Sequence, residues 1–247
     1  MTAIAILTAR GGSKRIPRKN LRAFRGKPIL AWPLQAAMQT GLFDEVMVST
    51  DDAEIANLAR LLGAAVPFLR SAETSNDTAT TSAVLKEVLH AYAERGQSFD
   101  VACCLYATAP FVTADLLHSS HSALVEGGFD VIMPVTAFSY PIWRSLRRDA
   151  SGRVLLNWPE NLNVRSQDLP SAYHDVGQFY WFLPEPFLRA GALMGPNTGS
   201  IVLPETQTQD IDTEEDWALA ELKHERLFGA AGTTAHPFPL SPQDLAK

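Results

Sequence analysis

AIAILTARGGSKRIPRKNLRAFRGKPILAWPLQAAMQTG, residues 3–41, sets the architecture. Its first seven residues, 3–9, are a short apolar run bounded by Arg10 and a Gly-Gly pair, which reads as a buried strand. A basic, glycine-containing loop follows. Pro28 then opens an expected helix over 28–40, stopped by Gly41, and Pro33 costs little that close to a helix start. Strand, loop and helix in that order form the opening unit of a sheet whose strands are joined by helical crossovers.

The same rhythm continues outward. EVMVST at 45–50 is a second strand, and Asp51 or Asp52 caps a helix reading AEIANLARLL that ends at Gly63. AAVPFL at 64–69 predicts a third, short strand, with Pro67 at an edge or bend. The polar loop RSAETSNDTATT leads into an amphipathic helix over about 80–95, DVACCLYA at 100–107 is a fourth strand, and Thr113 caps a helix to Glu126. DVIMPVT at 130–136 is a fifth strand. Continuous apolar strands alternating with helices predict an α/β protein with a doubly wound, mostly parallel sheet. Its site belongs at the carboxyl ends of the strands.

After about residue 138 the helical period is lost. Tyr140, Trp143, Trp158, Tyr173, Tyr180 and Trp181 crowd a stretch read as an inserted extended segment over 138–182, a lid or dimerisation arm. SIVLPE at 200–205 returns as a strand and DIDTEEDWALAELKHERLF as a final helix. The expected domain is 1–228, with a loosely attached tail at 229–247.

Charge distribution says more than the net charge of −6. Arg10, Lys14, Arg15, Arg18, Lys19, Arg22, Arg25 and Lys27 fall within 18 residues, and every acid lies at Asp44 or beyond. A compact positive region on an acidic chain suits a small polyanion and argues against a nucleic-acid binder. The two cysteines, Cys103 and Cys104, are adjacent in an apolar run, which excludes a structural zinc set and reads as buried thiols in a reducing cytoplasm. No run approaches the ~20 apolar residues of a membrane span, so the reading is a soluble protein without a membrane partner.

Two constellations could carry chemistry. LTARGGSKRIPRKN at 7–20 is neither a P-loop nor a dinucleotide fingerprint, yet it has the parts of a triphosphate cradle. Gly11 and Gly12 admit a close approach of backbone N–H groups to oxygens, Ser13 adds a donor, and Arg10, Lys14 and Lys19 supply charge. A solvated basic loop is the bland alternative, but the position after a strand favours binding. In QDIDTEEDW at 209–217, Asp210 and Asp212 are spaced so that extended backbone points both carboxylates to one face, as a Mg²⁺ shared with substrate phosphates requires. The competing reading of Asp212 is a capping box with Glu215.

AILTARGGSKRIPRKNL, VMVSTDDAEIANLARLLGA, FLRSAETSNDTATTSAVL, LYATAPF and DIDTEEDW stand in the order and spacing of the bacterial acylneuraminate cytidylyltransferases, which the chain resembles over most of residues 1–220. The resemblance implies the nucleotide-diphospho-sugar transferase fold, CTP as nucleotide donor, Mg²⁺ and a homodimer. Residue by residue it assigns Arg10, Ser13, Lys14, Lys19 and Asn20 to the triphosphate loop. Arg70 falls beside the cytidine, Thr80 and Thr81 in the base pocket, and Asp210 and Asp212 on the metal; Arg10, Lys19 and the two aspartates are the expected catalytic set.

Two departures bear on the sugar. Sialic-acid enzymes typically end the fourth strand in Gln-Pro-Thr-Ser-Pro, where this chain has Tyr106-Ala107-Thr108-Ala109-Pro110. RSQDLPSAYHDVGQFYW, 165–181, keeps the family's arginine, glutamine and Leu-Pro but reads His-Asp-Val-Gly-Gln further on. Both resemble the sister group of pseudaminic acid cytidylyltransferases, which serve surface and flagellar glycans. Expected sugar contacts are Tyr106, Thr108, Arg165, Gln167, Tyr173, His174, Asp175, Gln178 and Phe179. The implied reaction joins CMP from CTP to the anomeric hydroxyl of a nine-carbon acidic sugar, with release of pyrophosphate. Neuraminic, legionaminic or deoxyoctulosonic acid is the alternative substrate, and a non-catalytic sensor of an anionic nucleotide the alternative function.

Overall fold

The computed structural model describes residues 1–229, so the tail expected at 229–247 lies outside it except for its first residue. The chain opens with β1 (Ala3–Thr8), the basic loop, and a two-strand hairpin of β2 (Ala23–Phe24) and β3 (Lys27–Pro28). Because that hairpin takes Lys27 and Pro28, α1 (Ala31–Thr40) begins three residues later than Pro28 suggested, with Pro33 still in its first turn. β4 (Glu45–Ser49), α2 (Ala53–Leu61), α3 (Ala72–Ser75), α4 (Thr81–Ala93), β5 (Val101–Tyr106), α5 (Ala114–Gly127) and β6 (Val131–Ala137) follow.

The arm adds a hairpin of β7 (Leu146–Arg148) and β8 (Val154–Leu156), then β9 (Tyr173–Asp175). The last four residues of 138–182 leave the arm as β10 (Phe179–Phe182), and α6 (Pro184–Ala190), β11 (Thr198–Val202) and α7 (Glu214–Phe228) close the fold.

The main sheet runs β11-β6-β10-β5-β1-β4, with β9 also on β6. β1, β4 and β5 are parallel, as are β6 and β11, while β10 lies antiparallel between β5 and β6. The expected third strand at 64–69 does not form: Ala65 alone bridges β4, exchanging bonds with Val46 and Val48, and Pro67 then removes the next donor. Alternation along each strand divides the core. Ala5, Leu7, Cys103, Leu105, Phe179 and Trp181 pack beneath α1, α2 and α5. Ile4, Ile6, Cys104, Tyr180 and Phe182 face α4 and α6. Both cysteines are buried and unbonded.

β9 and β10 form one interrupted antiparallel strand along β6, pairing with its C-terminal and N-terminal halves respectively. The break at 176–178 sits where β5 ends, and Tyr106 N–H reaches across it to the Gln178 carbonyl. Gly177, at φ 62°, makes the left-handed turn that an L-side chain resists. Breaks of this kind re-aim side chains at a sheet's edge. Here the break lies at the carboxyl end of β5.

Candidate active site

The basic loop is held by an apolar residue in its midst. Ile16 is fully buried against Phe24, Ile211 and Trp217, which ties the loop to α7 and leaves its cations at the surface of a cleft. That cleft, of about 700 Å³, is lined by Arg10, Ser13, Lys14, Lys19, Asn20, Arg70, Thr81 and Tyr106. Asn20 braces the loop by donating to the Arg10 carbonyl at 2.8 Å. The two glycines differ. Gly11 donates its N–H to the Asp51 carboxylate at 2.9 Å, and a Cβ there would lie 2.5 Å from Asp52, which caps α2. Gly11 therefore answers to α2 instead of the close oxygen approach read from sequence, whereas Gly12 faces open space.

Arg70 enters from the segment between α2 and α3. Its guanidinium donates to the Ser49 hydroxyl at 3.1 Å and carbonyl at 2.6 Å, and burial lowers its pKa against the pull of Asp51 and Glu87. Thr81 shares a 2.9 Å hydrogen bond with the Tyr106 hydroxyl. Thr80 instead spends its hydroxyl on the α4 cap, accepting from Ala83 N–H.

Acid meets base at the other end. The helix cap expected of Asp212 and Glu215 belongs one residue on, to Thr213 and Asp216. Asp212 is thereby left to face the loop: Arg15 donates to it at 2.8 Å, and the Lys19 ammonium lies 3.6 Å away. Burial pushes Lys19 down, opposed by Asp212 and Asp210. Burial pushes the Asp210 carboxyl up, and the charge of Asp212 adds to it. The aspartates share a pocket of about 440 Å³ with Arg15, Tyr106, Thr108, Asp175 and Tyr180.

Asp175 stands opposite them at the strand break. It accepts from Gly177 N–H at 2.8 Å and from the Tyr180 hydroxyl, while Tyr106 packs edge-on to Tyr180 at 5.8 Å. Behind these tyrosines lies an apolar hollow of about 270 Å³ walled by Val131, Met133, Leu193 and Met194. His174 packs on Phe138 and lines a separate hollow with Asp210 and Asp212.

Other expected sugar contacts are not brought here. Phe179 is fully buried in the main core, because its side chain points to the opposite sheet face from Tyr180. Gln178 is 1% exposed and spends its amide on the Gln207 carbonyl at 2.9 Å. Arg165 pairs with Asp168 in the arm, and neither it nor Gln167 lines the cavities described. Tyr173 lies exposed on β9. Tyr180, Arg15 and Asp77, absent from the expected site, do line it. The alternation of FYWF could have revealed Tyr180, and Arg15 lay within the basic run.

The cytidylyltransferase family matches residues 4–177. The chain belongs to that family. It is 37% identical over 232 residues to the pseudaminic acid cytidylyltransferase of Campylobacter jejuni, covering 92% of this chain and all of that relative. It is 30% identical to the CMP-N,N'-diacetyllegionaminic acid synthase of Legionella pneumophila over 226 residues, 90% of this chain and 95% of the relative. Among solved structures, a CMP:2-keto-3-deoxy-manno-octonic acid synthetase complexed with CTP superposes with a TM-score of 0.64 at 18% identity, covering 92% of this chain and 99% of that one. This last likeness establishes the shared fold. The cytidylyltransferase is thus an α/β enzyme with a mostly parallel central sheet. No helix among its described residues is long and apolar enough to cross a membrane.

Proposed function

We propose that this cytidylyltransferase transfers CMP from CTP to the anomeric hydroxyl of pseudaminic acid. The hydroxyl oxygen attacks the α-phosphorus, the bond to the β-phosphate breaks, and pyrophosphate leaves. The observation that carries the reading is the meeting of three environments at one side chain. A cationic cleft, a carboxylate pocket and an apolar hollow are all lined by Tyr106, at the end of β5.

Arg10, Lys14 and Lys19 bind and orient the β- and γ-phosphates by charge-assisted hydrogen bonds. Arg70, Thr81 and Tyr106 hold the nucleoside end. The residues at the acidic end fit Mg²⁺: two hard oxygen donors share one pocket, where burial, and then the charge of Asp212, raises the Asp210 carboxyl. Asp210 and Asp212 would hold the ion, which when bound neutralises developing charge on the phosphates. Positioning and charge stabilisation then supply catalysis, as in other phosphoryl transfers.

The sugar assignment rests on the identity with the Campylobacter relative and on the hollow. Pseudaminic acid ends in a methyl group and carries two acylamino groups, which Met133, Leu193 and Met194 can cover. A glycerol tail in the same place would bury hydroxyls without partners, at about 1–3 kcal/mol each. Tyr106, Thr108, His174 and Asp175 remain the polar sugar contacts. We place the enzyme in the cytoplasm, supplying surface or flagellar glycan assembly. It acts as a homodimer in which a second copy covers the exposed Leu146, Val154 and Leu155 of the arm's β7–β8 hairpin. Incubation of the protein with CTP, Mg²⁺ and pseudaminic acid should yield the CMP-sugar by mass spectrometry and release pyrophosphate, and chelation should abolish both. Failure to release pyrophosphate with any acidic sugar would refute the proposal.

A further inference from the structure

The loop between α3 and α4 contributes an acid to a cleft otherwise built for anions. Its ends are fixed. Ser71 donates its N–H and hydroxyl to Glu87 of α4 at 2.7 and 2.9 Å, Thr74 joins them, and Thr80 caps α4. Asn76 shapes the turn between, accepting from Thr78 N–H at 2.9 Å and donating to the Glu73 carbonyl at 2.6 Å. Asp77, at the tip, makes no hydrogen bond within this loop. Its two oxygens go instead to two different cations of the cradle, Arg10 at 2.7 Å and Lys14. Among the described residues no other acid pairs with either. Hydrogen bonds from Lys14 and then Arg10 hold the Asp77 carboxyl below the usual range, so it is charged at neutral pH.

A carboxylate bridging an arginine and a lysine with separate oxygens presents what two oxygens of a phosphate would present. We propose that Asp77 is a resident stand-in for a phosphate group, which an entering triphosphate displaces from Arg10 and Lys14 and which reclaims them when pyrophosphate departs. This inference rests on the nucleotide reading of the cleft and makes Asp77 a determinant of specificity. A ligand whose phosphates reach both cations must outcompete the carboxylate. CMP, whose single phosphate belongs beside Asp210 and Asp212, need not. Asp77 thus weakens the cradle's hold on the leaving pyrophosphate as well as on CTP.

The test is calorimetric titration of the full chain and of Asp77→Asn and Asp77→Ala with CTP, inorganic pyrophosphate and CMP. Exposed ion pairs contribute little each, so CTP and pyrophosphate should bind roughly three- to tenfold more tightly to both variants, with CMP changed by less than about twofold. Weaker or unchanged CTP binding would overturn the inference, showing that Asp77 orients the two cations and does not compete for them. Equal tightening of CMP would overturn it as well, reducing the effect to net charge. Wild-type protein that failed to bind CTP would refute the nucleotide reading itself, and this inference with it.

Discussion

The two walls of the cleft are built on opposite principles. The wall after β1 is a single contiguous segment whose cations are each met by an acid: Arg10 and Lys14 by Asp77, Arg15 and Lys19 by Asp212. The wall at the end of β10 is assembled from four separated segments, and its surface is mostly uncharged: Tyr106, Tyr180, Met133, Leu193 and one carboxylate, Asp175. Charge acts over distance and tolerates a mobile surface, so phosphates can be gripped by a loop. A sugar's hydroxyl, acylamino and methyl groups are told apart only by contact, so that wall is anchored to the sheet.

The charged wall should carry the largest effects. Asp210→Asn should lower turnover by about a hundredfold or more, the scale of losing one preorganised electrostatic partner, while circular dichroism stays unchanged. Near-normal turnover at saturating CTP would remove the metal role from the aspartates. Arg10→Ala should weaken CTP binding by about tenfold or more, the worth of a hydrogen bond to a charged group, and CMP much less. Equal losses would place Arg10 away from the β- and γ-phosphates.

On the neutral wall, Tyr180→Phe deprives Asp175 of a donor and should raise the KM for the sugar by about fivefold, with the Kd for CTP unmoved. A matching change in CTP affinity would mean that the walls are not separable. The smallest effect is a titration. Burial and the charge of Asp212 raise the Asp210 carboxyl, so in Asp212→Asn, where the like charge is gone, Asp210 should titrate at lower pH in carbon-detected NMR. An unchanged midpoint would show that the two carboxylates do not share a site.

The contrast also explains what the sequence disclosed. The cradle was legible because its residues are consecutive and follow a strand. The caps at Asp52 and Thr113 were legible because capping is local. The segment at 64–69 looked like a strand by composition, but Pro67 limited its pairing to Ala65. FYWF fell inside the stretch read as an inserted extended segment, and only the tertiary path brings it back into the sheet, so its antiparallel place between β5 and β6 was hidden. A single step along β10 exchanges Tyr180 at the site for Phe179 in the core, and residue type did not distinguish them. Asp77 lay in a polar loop whose partners are more than 60 residues away in sequence.

Under the proposed function, contact at the neutral wall, and not charge at the cationic one, chooses the sugar. The most direct measurement is kcat/KM for pseudaminic acid and for neuraminic acid at saturating CTP and Mg²⁺, followed by pyrophosphate release. Hydroxyls stranded against Met133, Leu193 and Met194 should make neuraminic acid at least roughly a hundredfold poorer. Comparable values for the two sugars would contradict the claim.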